Sequence, residues 1–254
     1  MSDDALTSTA IDSVANLARQ AAGKTIEIEG ATYSTTLLVD PRKRDPEPDA
    51  LEVSTLTSLV AYVRENRDGL VLDTATLLVE GPTVVSLVGS LGAGYYRQRF
   101  RYVRAKCQPA GGAFAFGEFL ALEGFHIALQ ALFVDDYQRA DVLKLCGNVK
   151  SDRIRVQVDD GKTQTVEARA GVATVENVSV PNPVTLAPFR TFTELDQPSS
   201  PFVFRLREGA AGAGVQAALF EADGGTWRLA AVDGIKVYLD AELADLSPAP
   251  IVIA

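Results

Sequence analysis

The chain has 254 residues, 47% hydrophobic and 22% charged, with a formal net charge of −9. That length and balance belong to a globular protein with a substantial core and exclude a disordered or fibrous one. The acidity disfavours loose association with phosphate backbones, and two cysteines, Cys107 and Cys146, are too few for a disulfide framework. The opening Met1-Ser-Asp-Asp-Ala lacks the basic-then-apolar order of a signal peptide. The cysteine usage fits a reducing cytoplasm, and no apolar run approaches the roughly 20 residues of a membrane-spanning helix, so a non-membrane protein is expected.

Ser8 to Ala22 predicts a helix, with Ile11, Val14, Leu17, Ala18 and Ala21 on one stripe and Gly23 as its stop. Lys24 to Val39 alternates as a hairpin around Gly30. Three prolines between Asp40 and Asp49 predict an exposed extended arm, because such a segment can neither bury itself nor propagate a helix. From Ser54 the pattern is helical again, with Leu56, Leu59, Val60 and Val63 on one face and Gly69 as the terminator. Leu70 to Lys106 holds three predicted strands, broken at Gly81-Pro82 and at 89–94. Helices are expected over Phe116–Leu122 and Asp135–Leu145, and nearly everything after them as β.

Two hairpins can be registered by parity. A three-residue loop Asp159-Asp160-Gly161 pairs Ile154 with Val166, and Ala222-Asp223-Gly224 pairs Leu219 with Trp227 and Ala217 with Leu229. The expected fold class is α+β, with a mixed region over 1–148 and a β-rich antiparallel region over 149–254. Any boundary is expected near 147–153, and the two regions can share one core.

Ala18 to Thr25 fits the loose pattern of a phosphate loop. That loop needs a strand before it and a helix after it, and here the order is reversed, so a helix C-terminus is the better reading. Asp135-Asp136 resembles a paired-carboxylate metal site, yet an N-cap to the following helix explains it more simply. Asp159-Asp160 reads as turn chemistry. His126, the single histidine, lacks an evident nucleophile or orienting partner. With Cys107 and Cys146 it lacks the close spacing of a zinc site, and both cysteines read as small core residues. No catalytic residue, metal or cofactor is therefore assigned, although a site assembled from distant segments leaves no trace in one sequence.

Tyr95 to Lys106 is the anomaly in this acidic chain. As a strand it places Arg97, Arg99 and Arg101 on one face, with Tyr96, Phe100, Tyr102, Arg104 and Lys106 on the other. Arginines track phosphates and aromatic rings stack on bases, so this is a candidate single-stranded nucleic-acid surface. The plainer reading is an amphipathic strand whose arginines pair with the surplus carboxylates. The end of the chain, Ser247-Pro-Ala-Pro followed by Ile251, Val252, Ile253 and Ala254, predicts a short apolar strand. It should dock on a sheet edge of its own or a neighbouring subunit, giving a candidate oligomer contact.

Four segments taken together carry a resemblance: Leu56-Thr-Ser-Leu-Val-Ala-Tyr-Val63, Phe116-Gly-Glu-Phe-Leu120, Pro188-Phe-Arg-Thr-Phe192 and Pro201-Phe-Val-Phe-Arg-Leu206. In hydrophobic pattern and segment order the chain resembles, over most of its length, the YfdQ-like proteins of phages and prophages. The resemblance implies a phage protein in the bacterial host cytoplasm, and supplies no activity or catalytic residues to carry over. The expectation is a non-enzymatic protein that self-assembles into a closed homo-oligomer, a ring or capsid-like shell. The alternatives are a single-stranded DNA-binding accessory of recombination or replication, and an acidic inhibitor of a host protein.

Overall fold

The computed structural model describes residues 8–21, 25–34, 49–92, 99–108, 112–148, 155–159, 164–170, 174–180, 182–209 and 214–254. The chain divides into two units, Met1–Asp49 and Ala50–Ala254.

The first unit holds helix α1 (Ser8–Ala21) and a hairpin of β1 (Thr25–Ile28) and β2 (Ala31–Ser34). Glu29 and Gly30 both take positive φ, 49° and 78°, as a two-residue hairpin loop with the strands' own twist demands. The predicted stripe of α1 is open to solvent at Ile11, Val14 and Leu17. The proline-rich arm falls almost wholly outside the described residues.

The second unit is α+β, with sheets both antiparallel and mixed. Its five-stranded sheet runs in the order β14 (Ile251–Ile253), β4 (Thr76–Gly81), β5 (Val84–Leu91), β6 (Arg99–Lys106), β3 (Leu51–Val53). β5 is antiparallel to both β4 and β6, while β14 lies parallel to β4 and β3 parallel to β6. Residues of α2 (Leu56–Glu65) and α5 (Trp227–Glu242) join Leu77, Val79, Val85, Leu87, Val103 and Ala105 of this sheet in one core. Thr55 Oγ1 caps α2 by accepting from the Ser58 amide at 3.1 Å, and the predicted stripe Leu56, Leu59, Val60 and Val63 is buried. The helix ends at Glu65, earlier than the expected stop at Gly69, because Asn66 takes the left-handed conformation that closes the last turn.

A four-stranded antiparallel sheet, β11 (Val184–Leu186), β12 (Ser200–Glu208), β13 (Val215–Glu221) and β7 (Leu120–Ala121), forms the second core with α3 (Leu122–Leu132) and α4 (Tyr137–Asn148). Six phenylalanines, at 114, 116, 125, 133, 202 and 204, interlock there edge-on or stacked. A third sheet joins β8 (Arg155–Asp159), β9 (Gln164–Ala170) and β10 (Thr174–Val180).

Several expectations are corrected. Phe116–Leu122 is not a helix: Gly117 takes φ +80° and donates to the Leu219 carbonyl at 2.8 Å, which fixes a turn and delivers the chain into β7. The Ala222-Asp223-Gly224 hairpin does not exist. β13 pairs instead with β12, with Leu219 opposite Phe204 and Ala217 opposite Leu206, and the chain after Gly225 enters α5. In the other hairpin Val156, not Ile154, stands opposite Val166, Asp159 pairs with Gln164, and a bulge precedes Val158. Each core draws residues from both sides of position 148, so the chain divides after Asp49 rather than near 147–153.

Candidate functional site

The last strand finds its mate within its own chain. Ile251 N–H donates to the Ala75 carbonyl at 3.2 Å, and Ile251, Val252 and Ile253 stand in register with Thr76, Leu77 and Leu78. Alternation sends Val252 into the core beside α5, while Ile251 and Ile253 point the other way and remain 62% and 51% exposed. Among the described residues no strand pairs with the outer side of β14, which therefore ends the sheet.

Three strands away, β6 carries the arginines. Arg97 lies outside the described residues. Arg99 donates to the Gly89 carbonyl at 2.9 Å. Arg101 reaches Glu80 at 3.1 Å and Arg104 reaches the other oxygen of the same carboxylate at 3.3 Å; Ser86, fully buried, donates to Glu80 at 2.6 Å. Lys106 is exposed. The predicted parity fails between Arg101 and Val103, where the register slips by one residue at Tyr102. The slip brings Arg101 and Arg104 to one carboxylate, whereas strict alternation assigned them to opposite faces. Tyr102 leans back over Gly89 so closely that a Cβ there would stand 2.8 Å from its hydroxyl, so this strand position takes glycine. One carboxylate is thus shared by two guanidinium groups, which removes one positive charge from this stretch and ties both arginines to a neighbouring part of the sheet.

The remaining candidates fall apart in space. Asp136 accepts from the Arg139 amide at 2.7 Å as the cap of α4, and Asp135 pairs with the Arg139 guanidinium. Asp159 sits in β8, and Asp160 lies outside the described residues. α1 stops at Ala21 and a strand starts at Thr25, with Gly23 and Lys24 between them outside the described residues. His126 Nε2 bonds the Leu143 carbonyl at 3.1 Å and so ties α3 to α4. Cys107 belongs to the core of the five-stranded sheet and Cys146 to that of the four-stranded one, so the histidine and the two thiols do not converge. Burial pushes the Cys146 thiol up to about 12; burial, and then the charge of Glu194, also raises Cys107. Among the described residues no three His, Cys, Asp or Glu side chains gather as metal ligands, and no helix is long and apolar enough to cross a membrane.

One cluster went unseen in the sequence. Arg190 is nearly buried, with its guanidinium 3.9 Å from the Trp227 ring centroid and 5.8 Å from that of Phe202. It bonds Glu221 at 2.9 Å and the Ser200 hydroxyl, while the next residue, Thr191, donates to the Pro82 carbonyl at 2.5 Å. Burial lowers the Arg190 pKa to about 10, with Glu221 and then Asp223 opposing the shift. This is a clamp between the two sheets: the guanidinium already has a carboxylate, a hydroxyl and two aromatic faces. Its only sequence signal was an arginine set between aromatics in Pro188-Phe-Arg-Thr-Phe192. No protein-family model, curated protein or solved structure matches the chain.

Proposed function

We propose that this protein works by associating with copies of itself along the open end of its five-stranded sheet, forming a closed homo-oligomer such as a ring or shell rather than acting through catalysis. The observation that carries the reading is a strand edge that no other described strand covers, with two exposed isoleucines, Ile251 and Ile253, on that same strand. Soluble sheets usually protect a free edge with charge, proline, a bulge or a very short strand; here Pro250 and the three-residue length protect in part, while the strand itself is apolar and β-branched. Covering an isoleucine is worth about 1.5–3 kcal/mol when burial is complete. The loss of rigid-body freedom is about 4 kcal/mol or more, so backbone bonds along the edge must contribute as well. The YfdQ-like resemblance supports placing such an assembly in the cytoplasm of a phage-carrying bacterium.

The nucleic-acid reading ranks second because Glu80 occupies Arg101 and Arg104 and the chain carries a net charge of −9. Size-exclusion chromatography with light scattering decides the first reading: a mass that is a multiple of 27.1 kDa is expected. A homogeneous monomer at tens of micromolar would falsify it.

A further inference from the structure

We infer that the β14 edge pairs with the same edge of a second copy, antiparallel about a two-fold axis at Val252, joining two five-stranded sheets into one. This rests on the self-association reading and specifies the contact. In a strand, the N–H and C=O of one residue point to the same side, and successive residues alternate. Ile251 N–H is used by Ala75, and the parallel register turns the Ile253 main chain toward β4 as well. The free side of the strand therefore presents the Pro250 carbonyl, both main-chain groups of Val252, and the Ala254 N–H.

That set is complementary to itself. With the axis at Val252, each Val252 N–H donates to the Val252 carbonyl of the second copy. Each Ala254 N–H donates to the Pro250 carbonyl of the second copy. Four bonds form, and the missing N–H of Pro250 removes only the reciprocal pair. Moving the axis to residue 250 sets two prolines face to face with neither able to donate. Centring it at 251 keeps two bonds; centring it at 253 sets Ile253 opposite itself and away from Ile251. Only the Val252 axis sets Ile251 of each copy beside Ile253 of the other, in the non-hydrogen-bonded positions where side chains approach closest. The four isoleucines, 62% and 51% exposed in the single chain, then form one continuous strip flanked by Leu78. A contact of this kind is isologous, so alone it closes as a dimer, and a ring or shell needs a second contact elsewhere on the chain.

Cysteine pairing reads the register directly. The double variant Ile251→Cys/Ile253→Cys is expected to oxidise to a covalent dimer on non-reducing gels, while neither single variant does so. The native Cys107 and Cys146 are buried and give no background link. In parallel, Ile251→Lys, a change at an exposed position, is expected to raise the dimer dissociation constant about tenfold or more while the melting temperature of the dilute monomer stays within a few degrees. Crosslinking of either single variant puts the axis elsewhere and overturns the inference. An oligomeric mass with no crosslink in the double variant also overturns it, while leaving self-association standing and pointing to the α1 stripe or the β3 edge. A monomeric mass for the wild-type chain removes both.

Discussion

Arg190 stacks its guanidinium on Trp227, 3.9 Å from the ring centroid, and thereby ties the segment between β11 and β12 to the first turn of α5. Because Thr191 also grips the Pro82 carbonyl, the same segment touches both sheets. Arg190→Ala leaves Glu221 and the buried Ser200 without their cation, and is expected to cost about 2–4 kcal/mol. Arg190→Lys should recover less than half of that, since an ammonium cannot lie as a plane on the indole. Trp227 is the single tryptophan, so urea unfolding followed by its fluorescence reads both variants. A loss under 0.5 kcal/mol in the alanine variant, judged against the scatter of ordinary surface changes, removes the clamp from the account.

Asp223 decides that the chain turns into a helix after β13. Its carboxylate accepts from the Gly225 amide at 2.9 Å, the Trp227 amide at 3.1 Å and the Ser200 hydroxyl at 3.0 Å. Burial pushes its pKa up, but these bonds and the charge of Arg190 outweigh that and hold it below the usual value. Asp223→Ala should cost about 1–2 kcal/mol at pH 7, as lost caps do. A group with a lowered folded pKa stabilises above its unfolded value and loses that contribution as pH falls through the folded one. The gap between wild type and variant should therefore narrow in acid, below about pH 4. A gap that stays constant from pH 7 to pH 3 contradicts the capping role.

The same corner shows what the sequence could and could not reveal. Leu56, Leu59, Val60 and Val63 announced α2 because a buried stripe at helical spacing is a local signal. The hairpin loop at Glu29-Gly30 and the three strands up to Lys106 were legible for similar local reasons. In α5 the buried residues are Ala231, Ile235 and Leu239, a four-residue spacing that begins only after the Trp227-Leu229-Ala231 alternation that imitates a strand. Leu229, expected opposite Ala217 in a hairpin, is 69% exposed on the helix. Long-range partners were less accessible still. β7 pairs with β13 and β14 with β4 across long stretches of sequence, and no local pattern encodes such neighbours. For the candidate site, the apolar strand at 251–253 and the arginines of β6 were visible. The Glu80 that holds two of them was not, because it belongs to a different strand.

The Tyr62 hydroxyl donates to Asp68 at 2.5 Å, and its pKa is raised to about 12, first by burial and then by the bond to Asp68 and its charge. In the unfolded chain a tyrosine titrates near pH 10. Below about pH 10 both states hold the proton and the stabilisation is complete; between about 10 and 12 only the folded state does, and stability drains away. Tyr62→Phe should cost about 0.5–1.5 kcal/mol at pH 8, the worth of one such bond. It should also flatten the decline in urea midpoint between pH 10 and 11. The Cys146 thiol, likewise pushed up to about 12, adds a decline of the same sign that persists in the variant. Equal slopes in the two proteins would mean that Tyr62 does not carry the alkaline loss.

Salt separates the two readings of the sheet by sign. Two copies of a chain with net charge −9 repel each other, and raising salt from 50 to 500 mM shortens the screening length from about 14 to about 4 Å. Association through the apolar β14 edge should therefore hold or tighten over that range. Phosphate binding through Arg99, Arg101, Arg104 and Lys106 must weaken, because each neutralised phosphate releases counterions. With Glu80 holding two of these arginines, the native protein is expected to leave an oligo-dT strand unbound at 50 mM salt, and Arg99→Ala/Arg101→Ala/Arg104→Ala to leave the oligomeric mass unchanged. Glu80→Gln weakens the hold on both guanidinium groups and on the Ser86 hydroxyl, so it should cost about 1–3 kcal/mol in stability. If the native protein binds the strand, loses it steeply with salt and loses it wholly in the triple variant, β6 rather than β14 is the working surface. A mass that falls apart as salt rises contradicts the edge contact, since screening can only relieve the repulsion between like-charged copies.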